Sequence, residues 1–326
     1  MNFWQKLKKP FTVLAPMEDV TDMVFRQILI EAGRPDVFFT EFTNVEGAAH
    51  AVNNSPLRPS LNLREGTNPV LQRLIFSETE HPIVAQIWGK DPKNFYEVAK
   101  LIKKLKFDGV DINMGCPQRD VIKNGCCVAL IDNRSLATEI IVATKEGSGK
   151  LPVSVKTRIG LNKIVTEDWC GFLLEQKLEA LTVHGRTAKE MSDVPAHWDE
   201  IAKVVKMRNQ VFPKTIIIGN GDIKNVLDAK RYALNAGVDG VMIGRGVFEN
   251  PWCFSDHLPT KKEKLDLLKK HLELWEKTWG DKKNFSVLKK YFKIYIRDFD
   301  GAGELRAKLM ETKSLEELKI LTQKFL

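Results

Sequence analysis

The sequence predicts an α/β chain: a (β/α)8 TIM barrel over residues 1–256, followed by a small helical domain over residues 257–326. Three observations carry that expectation. Eight short apolar segments alternate with helix-like segments between residues 11 and 246, the size of one such barrel. Polar or glycine residues close nearly every apolar segment, whereas a doubly wound sheet gathers them at one switch point, and no G-x-G-x-x-G turn follows the first segment. Past Pro251-Trp252-Cys253 the alternation stops, and three stretches of helical period remain.

Taken in order, residues 11–17 form an apolar run closed by Pro16 and Met17, and 20–32 a helix stopped by Gly33. The second strand is 36–40. Residues 41–82, rich in Asn, Pro, Arg and Glu, read as a long loop with a helical piece. The third strand, 83–87, carries Gln86, and a helix over 94–105 aligns Phe95, Val98, Leu101, Ile102 and Leu105 on one face. The fourth, 109–113, runs out through Asn113 to Cys116, where Pro117 fixes φ and holds the thiol in one direction. After a helix over 135–146, the fifth strand, 151–158, ends in Lys156 and Arg158. A helix over 168–176 leads to the sixth, 180–186, with His184 near its end. Helix 198–205 precedes the seventh, 215–222, which carries Asn220, Gly221 and Asp222; helix 226–235 precedes the eighth, 240–246, with Gly244 and Arg245. The C-terminal helices are expected over 261–279, 284–299 and 314–325.

Composition narrows the class. Hydrophobic residues make up 43% and charged residues 28%, as in soluble globular proteins. There is no apolar run long enough to span a bilayer and no apolar core of a secretory signal at the start, so a cytoplasmic protein with no membrane contact is expected. A monomer is expected. The five cysteines include no C-x-x-C pair, which argues against a disulfide framework and against a zinc or other metal site. Net charge is +8, and from position 257 onward 15 Lys and 2 Arg face 4 Asp and 7 Glu. That regional excess points to an anionic partner, nucleic acid first.

In a barrel the strand ends share one mouth, so residues far apart in sequence meet there. Gly219-Asn-Gly-Asp222 and Gly244-Arg-Gly246 let backbone N–H groups approach an anion at the usual phosphate position. Lys156, His184 and Gln86 fit polar contacts to a cofactor ring. A phosphate with a flat, polar-edged ring indicates FMN; a sugar-phosphate substrate is the alternative without flavin.

The ordered set Ala15-Pro-Met17, Gln86, Asn113-Met-Gly-Cys-Pro117, Val155-Lys-Thr-Arg158, His184-Gly-Arg-Thr187, Gly219-Asn-Gly-Asp222 and Gly244-Arg-Gly246 resembles the motifs of the tRNA-dihydrouridine synthases. The resemblance spans the chain. It implies an FMN enzyme that uses NADPH to reduce uridines of tRNA to 5,6-dihydrouridine. It implies further that Cys116 protonates carbon 5 of uracil, that Asn113 and Arg158 orient the base, and that Pro16, Met17, Gln86, Lys156 and His184 surround the flavin. Asn220, Gly221, Asp222, Gly244 and Arg245 would hold its phosphate. Lys289, Lys290, Tyr291, Arg297 and Arg306 would belong to the tRNA-binding helical domain. One departure stands out: where the family commonly has G-x-G-A-x-L, this chain has Gly125-Cys-Cys-Val-Ala-Leu130.

The chemistry asks for these groups. Hydride delivered to carbon 6 leaves carbon 5 in need of a proton, and a thiol of ordinary pKa, about 8.5, is mostly protonated at neutral pH. Two alternatives remain at this stage. An FMN barrel enzyme acting on free pyrimidines would not need the basic helices, and a non-catalytic RNA-binding protein would not need Cys116, Lys156, Arg158 and His184.

Overall fold

A computed structural model describes residues 2–54 and 68–324. Eight parallel strands close a barrel: β1 (Phe11–Leu14), β2 in two pieces (Phe38–Phe39 and Thr43–Asn44), β3 (Ile83–Trp88), β4 (Gly109–Met114), β5 (Val153–Arg158), β6 (Ala180–His184), β7 (Ile216–Asn220) and β8 (Gly240–Ile243). Each pairs with its sequence neighbour, β8 returns to β1 from Phe11 opposite Gly240 to Leu14 opposite Ile243, and a bridge between Val13 and Val37 joins β1 to β2. The strands are nearly all buried because helices cover them outside and side chains fill them inside. Phe11, Val13, Val84, Ile216, Ile218 and Met242 fill the interior, and Trp4 packs there against Phe11 and Phe39. The intervening positions, among them Leu14, Ile83, Ala85, Val110 and Ile112, face the helical layer.

Four strands, β1, β6, β7 and β8, end earlier than the apolar runs suggest. Residues 15–17, 185–186, 221–222 and 244–245 are loops, which frees their backbone for binding, and Gly246 opens a short helix, Gly246–Glu249. Within 41–82 the chain holds the second piece of β2 and helices Val45–Asn54 and Pro69–Gln72; the remainder of the expected loop, 55–67, lies outside the described residues. Three residues, Thr40 to Phe42, stand opposite Ala85 and Gln86, so β2 carries one extra residue there.

Helix α1 (Met23–Ala32) begins later than expected because Asp22 Oδ1 accepts from the Phe25 N–H at 3.0 Å and caps it. Beside it lies a buried ion pair: Arg26 Nε meets Glu80 Oε2 at 2.5 Å, both side chains fully buried. The rest of the guanidinium donates to Thr21 O and Ile75 O, while Gln27 Nε2 and Ser77 N donate to the second carboxylate oxygen. Each guanidinium nitrogen of Arg26 thus donates to an acceptor, the condition under which a buried pair is tolerated.

The helical region starts at α2 (Lys261–Thr278), opened by a capping box of Thr260 and Glu263. It shares the barrel's outer core: Leu265, Leu268, Leu272 and Trp275 lie in one continuous cluster with Phe25 and Ile28 of α1. The expected helix over 284–299 is broken. Residues Phe285–Tyr291 form 3₁₀ turns, Phe292–Tyr295 a short α-helix, and the chain then bends through Asp298 at φ 60°. Residues 291, 292 and 294–296 are all buried, so the segment is wrapped by neighbours instead of lying with one apolar face down. A helix that the sequence reading lacks, Ala302–Glu311, follows Gly301 and buries only Ala302, Leu305 and Leu309. Among the described residues no helix is long and apolar enough to cross a membrane.

Replacing Glu80 by Ala leaves the Arg26 charge buried without its partner. The expected loss is about 3–5 kcal/mol, read as a fall in the urea midpoint of unfolding.

Candidate active site

One cavity of about 530 Å³ opens at the C-terminal ends of the strands. Its lining joins Pro16 and Met17 after β1, Lys156 and Arg158 on β5, His184 on β6, the turn from Asn220 to Asp222, and Gly244 with Arg245 after β8. These residues span more than two thirds of the sequence, and the barrel register brings them level: Arg158 stands opposite His184, and His184 opposite Asn220. Five cationic side chains, Lys156, Arg158, Arg186, Lys224 and Arg245, line the cavity against the carboxylates of Asp222 and Glu249. Such a balance suits an anion.

The seventh and eighth turns have the expected small residues for a physical reason. Gly221 adopts φ 132°, and a β-carbon there would lie 2.6 Å from the Ala196 β-carbon. A β-carbon on Gly246 would lie 2.7 Å from the Lys224 carbonyl oxygen. Asp222, expected at the phosphate, works through its neighbours. Its carboxylate accepts from Arg186 Nη2 at 2.6 and 2.5 Å, from Arg245 Nη2 at 3.1 Å and from the Ala196 N–H at 2.8 Å. It therefore positions two guanidinium groups and offers no donor to an anion. Arg186, almost fully buried, was missed as a site residue although it stands in the His184-Gly-Arg186 run at a strand end.

Protonation follows from the same charges. Burial and the cations Lys156, Arg158, Arg186 and Arg245 push the His184 imidazolium well below its usual pKa, so the ring is neutral. Its Nε2 lies 3.1 Å from Arg186 Nη1, which can only donate, so the ring proton sits on Nδ1. Burial and Arg158 pull Lys156 down to about 8. Among the described residues the Lys156 ammonium has no hydrogen-bond or ion-pair acceptor. It is a donor available to an occupant of the cavity. Burial and Arg186 lower Arg158 to about 10, which leaves it charged at neutral pH.

Gln86, Asn113 and Cys116 do not line the cavity; they form the wall beside it. Ser154 Oγ donates to Asp111 Oδ1 at 2.6 Å, Gln86 Nε2 to Asp111 Oδ2 at 2.8 Å, and Asn113 Nδ2 to Gln86 Oε1 at 3.0 Å. Asn113 Oδ1 then accepts the backbone N–H groups of Gly115 and Cys116, each at 3.0 Å. A buried carboxylate thus orients two amides in turn, and the second shapes the cysteine loop. Gln86, expected against a flavin ring, is fully buried and has its amide taken up in this way. Arg158 pins the loop from the other side, donating to Gly115 O, Thr187 O and Met191 O.

The Cys116 thiol is half-buried and not ordinary. A hydrogen bond with the Cys127 thiol, the Gln118 N–H and the nearby charges of Arg158 and Lys156 outweigh burial and lower it to about 7. The expectation of an untuned thiol is corrected on this point. Cys126 turns away, its Sγ 3.8 Å from Asn124 O. Among the described residues no cluster of His, Cys, Asp or Glu could hold a metal ion.

The helical-region residues serve several ends. Tyr291, expected to face tRNA, is buried: it packs on Phe25 at 4.9 Å and donates to Val20 O at 2.8 Å. An aromatic in a basic stretch can serve a core as well as a base, and here the core claims it. Lys289 Nζ donates to Met310 O and Thr312 O, which closes the end of helix Ala302–Glu311. Arg297 ties the region to the barrel through Glu249 O, and Arg306 donates to Ile296 O. Lys290 and Lys293 are exposed, and Lys293, Arg297 and Arg306 share one surface recess.

A parallel eight-stranded barrel with a cationic cavity at the strand ends and a tuned thiol beside it has the form of a barrel enzyme whose site suits an anion. The chain belongs to the dihydrouridine synthase family: the model of that family, "Dihydrouridine synthase (Dus)", matches residues 13–326. It is 47% identical to the "Probable tRNA-dihydrouridine synthase" of Staphylococcus aureus strain Mu50, over 99% of this chain and 95% of that one. With the "Probable tRNA-dihydrouridine synthase 2" of Bacillus subtilis strain 168 it shares 45% identity, over 99% of this chain and 96% of the relative. Among solved structures, a morphinone reductase superposes with a TM-score of 0.50 at 14% identity, covering 74% of this chain and 84% of that one, a likeness of fold alone.

Asp111→Ala removes the acceptor of two buried donors, Gln86 Nε2 and Ser154 Oγ. The expected cost is about 2–3 kcal/mol in urea unfolding.

Proposed function

We propose that this protein reduces selected uridines of tRNA to 5,6-dihydrouridine, with FMN in the cavity and NADPH as reductant. The observation that supports this best is the union of a tuned Cys116 with a cationic cavity beside it, in a chain that aligns over 99% of its length with relatives named for tRNA. FMN reduced by NADPH supplies a hydride to carbon 6 of the uracil ring. The residues fit that cofactor: Gly221, Gly244, Arg245 and Asn220 would meet its phosphate, with Asp222 holding Arg186 and Arg245 in place. Pro16 and Met17 would give the apolar wall, and Lys156 and neutral His184 the polar contacts to the ring system.

Cys116 gives its proton to carbon 5 of the uracil. Asn113 sets the direction of that thiol through the Gly115 and Cys116 N–H groups, and Gln86 sets Asn113. Arg158 keeps its charge and offsets negative charge that gathers on the uracil carbonyl, a contribution often worth a few kcal/mol. The target uridine has to leave its stack to reach a barrel mouth, which costs a few kcal/mol. Contacts of the basic helical region with tRNA phosphates offset that cost, with Lys290, Lys293, Arg297 and Arg306 as the candidates.

The test is direct. The purified protein should carry flavin absorbance and form dihydrouridine in unmodified tRNA with NADPH; a protein that reduces free uracil but leaves tRNA untouched would favour the pyrimidine alternative. Cys116→Ser should retain flavin and lose turnover by roughly 100- to 10,000-fold in single-turnover assays. Because the acid form is required and its pKa is lowered to about 7, the rate of the protonation step should fall as pH rises through that value. Changing Lys290 and Lys293 together to Ala should weaken tRNA binding for all sequences alike and flatten its salt dependence by about one unit of log–log slope per lysine.

A further inference from the structure

The departure at Gly125-Cys-Cys-Val128 has a structural counterpart. The chain turns back through Gly125 at φ 73°, and Cys127 opens a 3₁₀ helix, Cys127–Asp132, in the left-handed region at φ 53°. That backbone favours glycine, yet a side chain stands there. Cys127 is buried, 1% exposed, at the start of a 3₁₀ helix that packs against β4 just before Cys116, and the two thiols stand close enough for each to shift the other's titration. The two sulfurs are therefore neighbours, one half-buried beside the cavity and the other sealed behind it.

We propose that Cys116 and Cys127 form a redox dithiol: Cys116 reacts with a peroxide and Cys127 resolves the product as an intramolecular disulfide. The Cys116 thiolate attacks one peroxide oxygen, the O–O bond breaks, and the other oxygen leaves as an alcohol or water after taking a proton, which gives a sulfenic acid. Cys127 Sγ then attacks the Cys116 sulfur, the S–O bond breaks, and hydroxide departs with the Cys127 proton as water. Two thiols have lost two electrons and two protons, and the peroxide has been reduced. The attacking group is suited to its part because the thiolate is the nucleophile, and Cys127, Arg158 and Lys156 all favour it at Cys116. The resolving thiol is held protonated by burial until the sulfenic acid forms. A dithiol reductant reverses the bond by exchange.

The bond does not depend on the proposed function; its consequence does, since a disulfide has no proton for carbon 5 and turnover stops until reduction. The test uses the flavin-loaded full chain, treated with hydrogen peroxide, blocked with iodoacetamide under denaturing conditions and digested with trypsin. Arg119 and Lys123 place the two cysteines in separate peptides. The expected product is the cross-linked pair of Cys116 with Cys127, lost on dithiothreitol treatment as activity returns. Cys116 found as sulfinic acid with Cys127 alkylated, or a bond to Cys126, overturns the proposal. A second variant, Cys127→Gly, suits the positive φ and removes the resolving thiol. With excess peroxide its unresolved Cys116 sulfenic acid should pass on to sulfinic acid, which dithiothreitol does not reduce, while the parent protein recovers under the same treatment; equal recovery of the two would overturn the proposal. A cross-link in a protein inert toward tRNA leaves the dithiol standing and removes the functional reading.

Discussion

The carboxylate of Asp111 sits fully buried in the barrel wall, where burial raises its pKa to about 6 against the pull of Ser154, Gln86 and Lys156. Leaving such a group without partners would cost several kcal/mol, so the wall is built to satisfy it. Gln86 gives its N–H to Asp111, which leaves its oxygen for Asn113, and Asn113 in turn has its oxygen free for the cysteine loop. The direction of every amide in the chain is set by the one before it. The position of the thiol is thus a consequence of a charge on its own strand, β4, relayed out through Gln86 of β3 and back through Asn113.

Across the mouth, a second carboxylate does the opposite work. Asp222 is partly exposed and draws two guanidinium groups together, where unaided they would repel. The cavity keeps its positive excess because two acids, Asp222 and Glu249, face five cations in its lining. His184 remains neutral amid them, so the site presents both fixed charge and an uncharged ring nitrogen to whatever it holds.

Period and punctuation in the sequence were sufficient for the barrel, since strands buried on both sides read as short apolar runs and their polar ends mark the mouth. The residues that sequence position alone could not rank are those whose role depends on a distant partner. Arg186 acquires its meaning from Asp222, 36 positions on. Cys127 acquires its own from a loop that folds back on Cys116, and no local pattern encodes that contact. Tyr291 misled for the reverse reason: aromatics among lysines look alike whether they face a base or a core. The helix Ala302–Glu311 was obscured by its glycines, and the break in 284–299 by a run of apolar residues that any helical period accommodates.

The segment from Met17 to Asp22 is fastened at both ends. Met17 lines the cavity and its N–H is held by Thr21 Oγ1, while Asp22 Oδ2 accepts from Trp279 Nε1 and Lys283 and the carbonyls of Asp19 and Val20 accept from Tyr291. One short strap is at once a wall of the cavity and a mooring of the helical region. Anything that shifts the mooring shifts the wall, so occupancy of the cavity and load on the helices are thermodynamically linked. By reciprocity, a ligand of one that changes affinity at the other has its own affinity changed by the same factor.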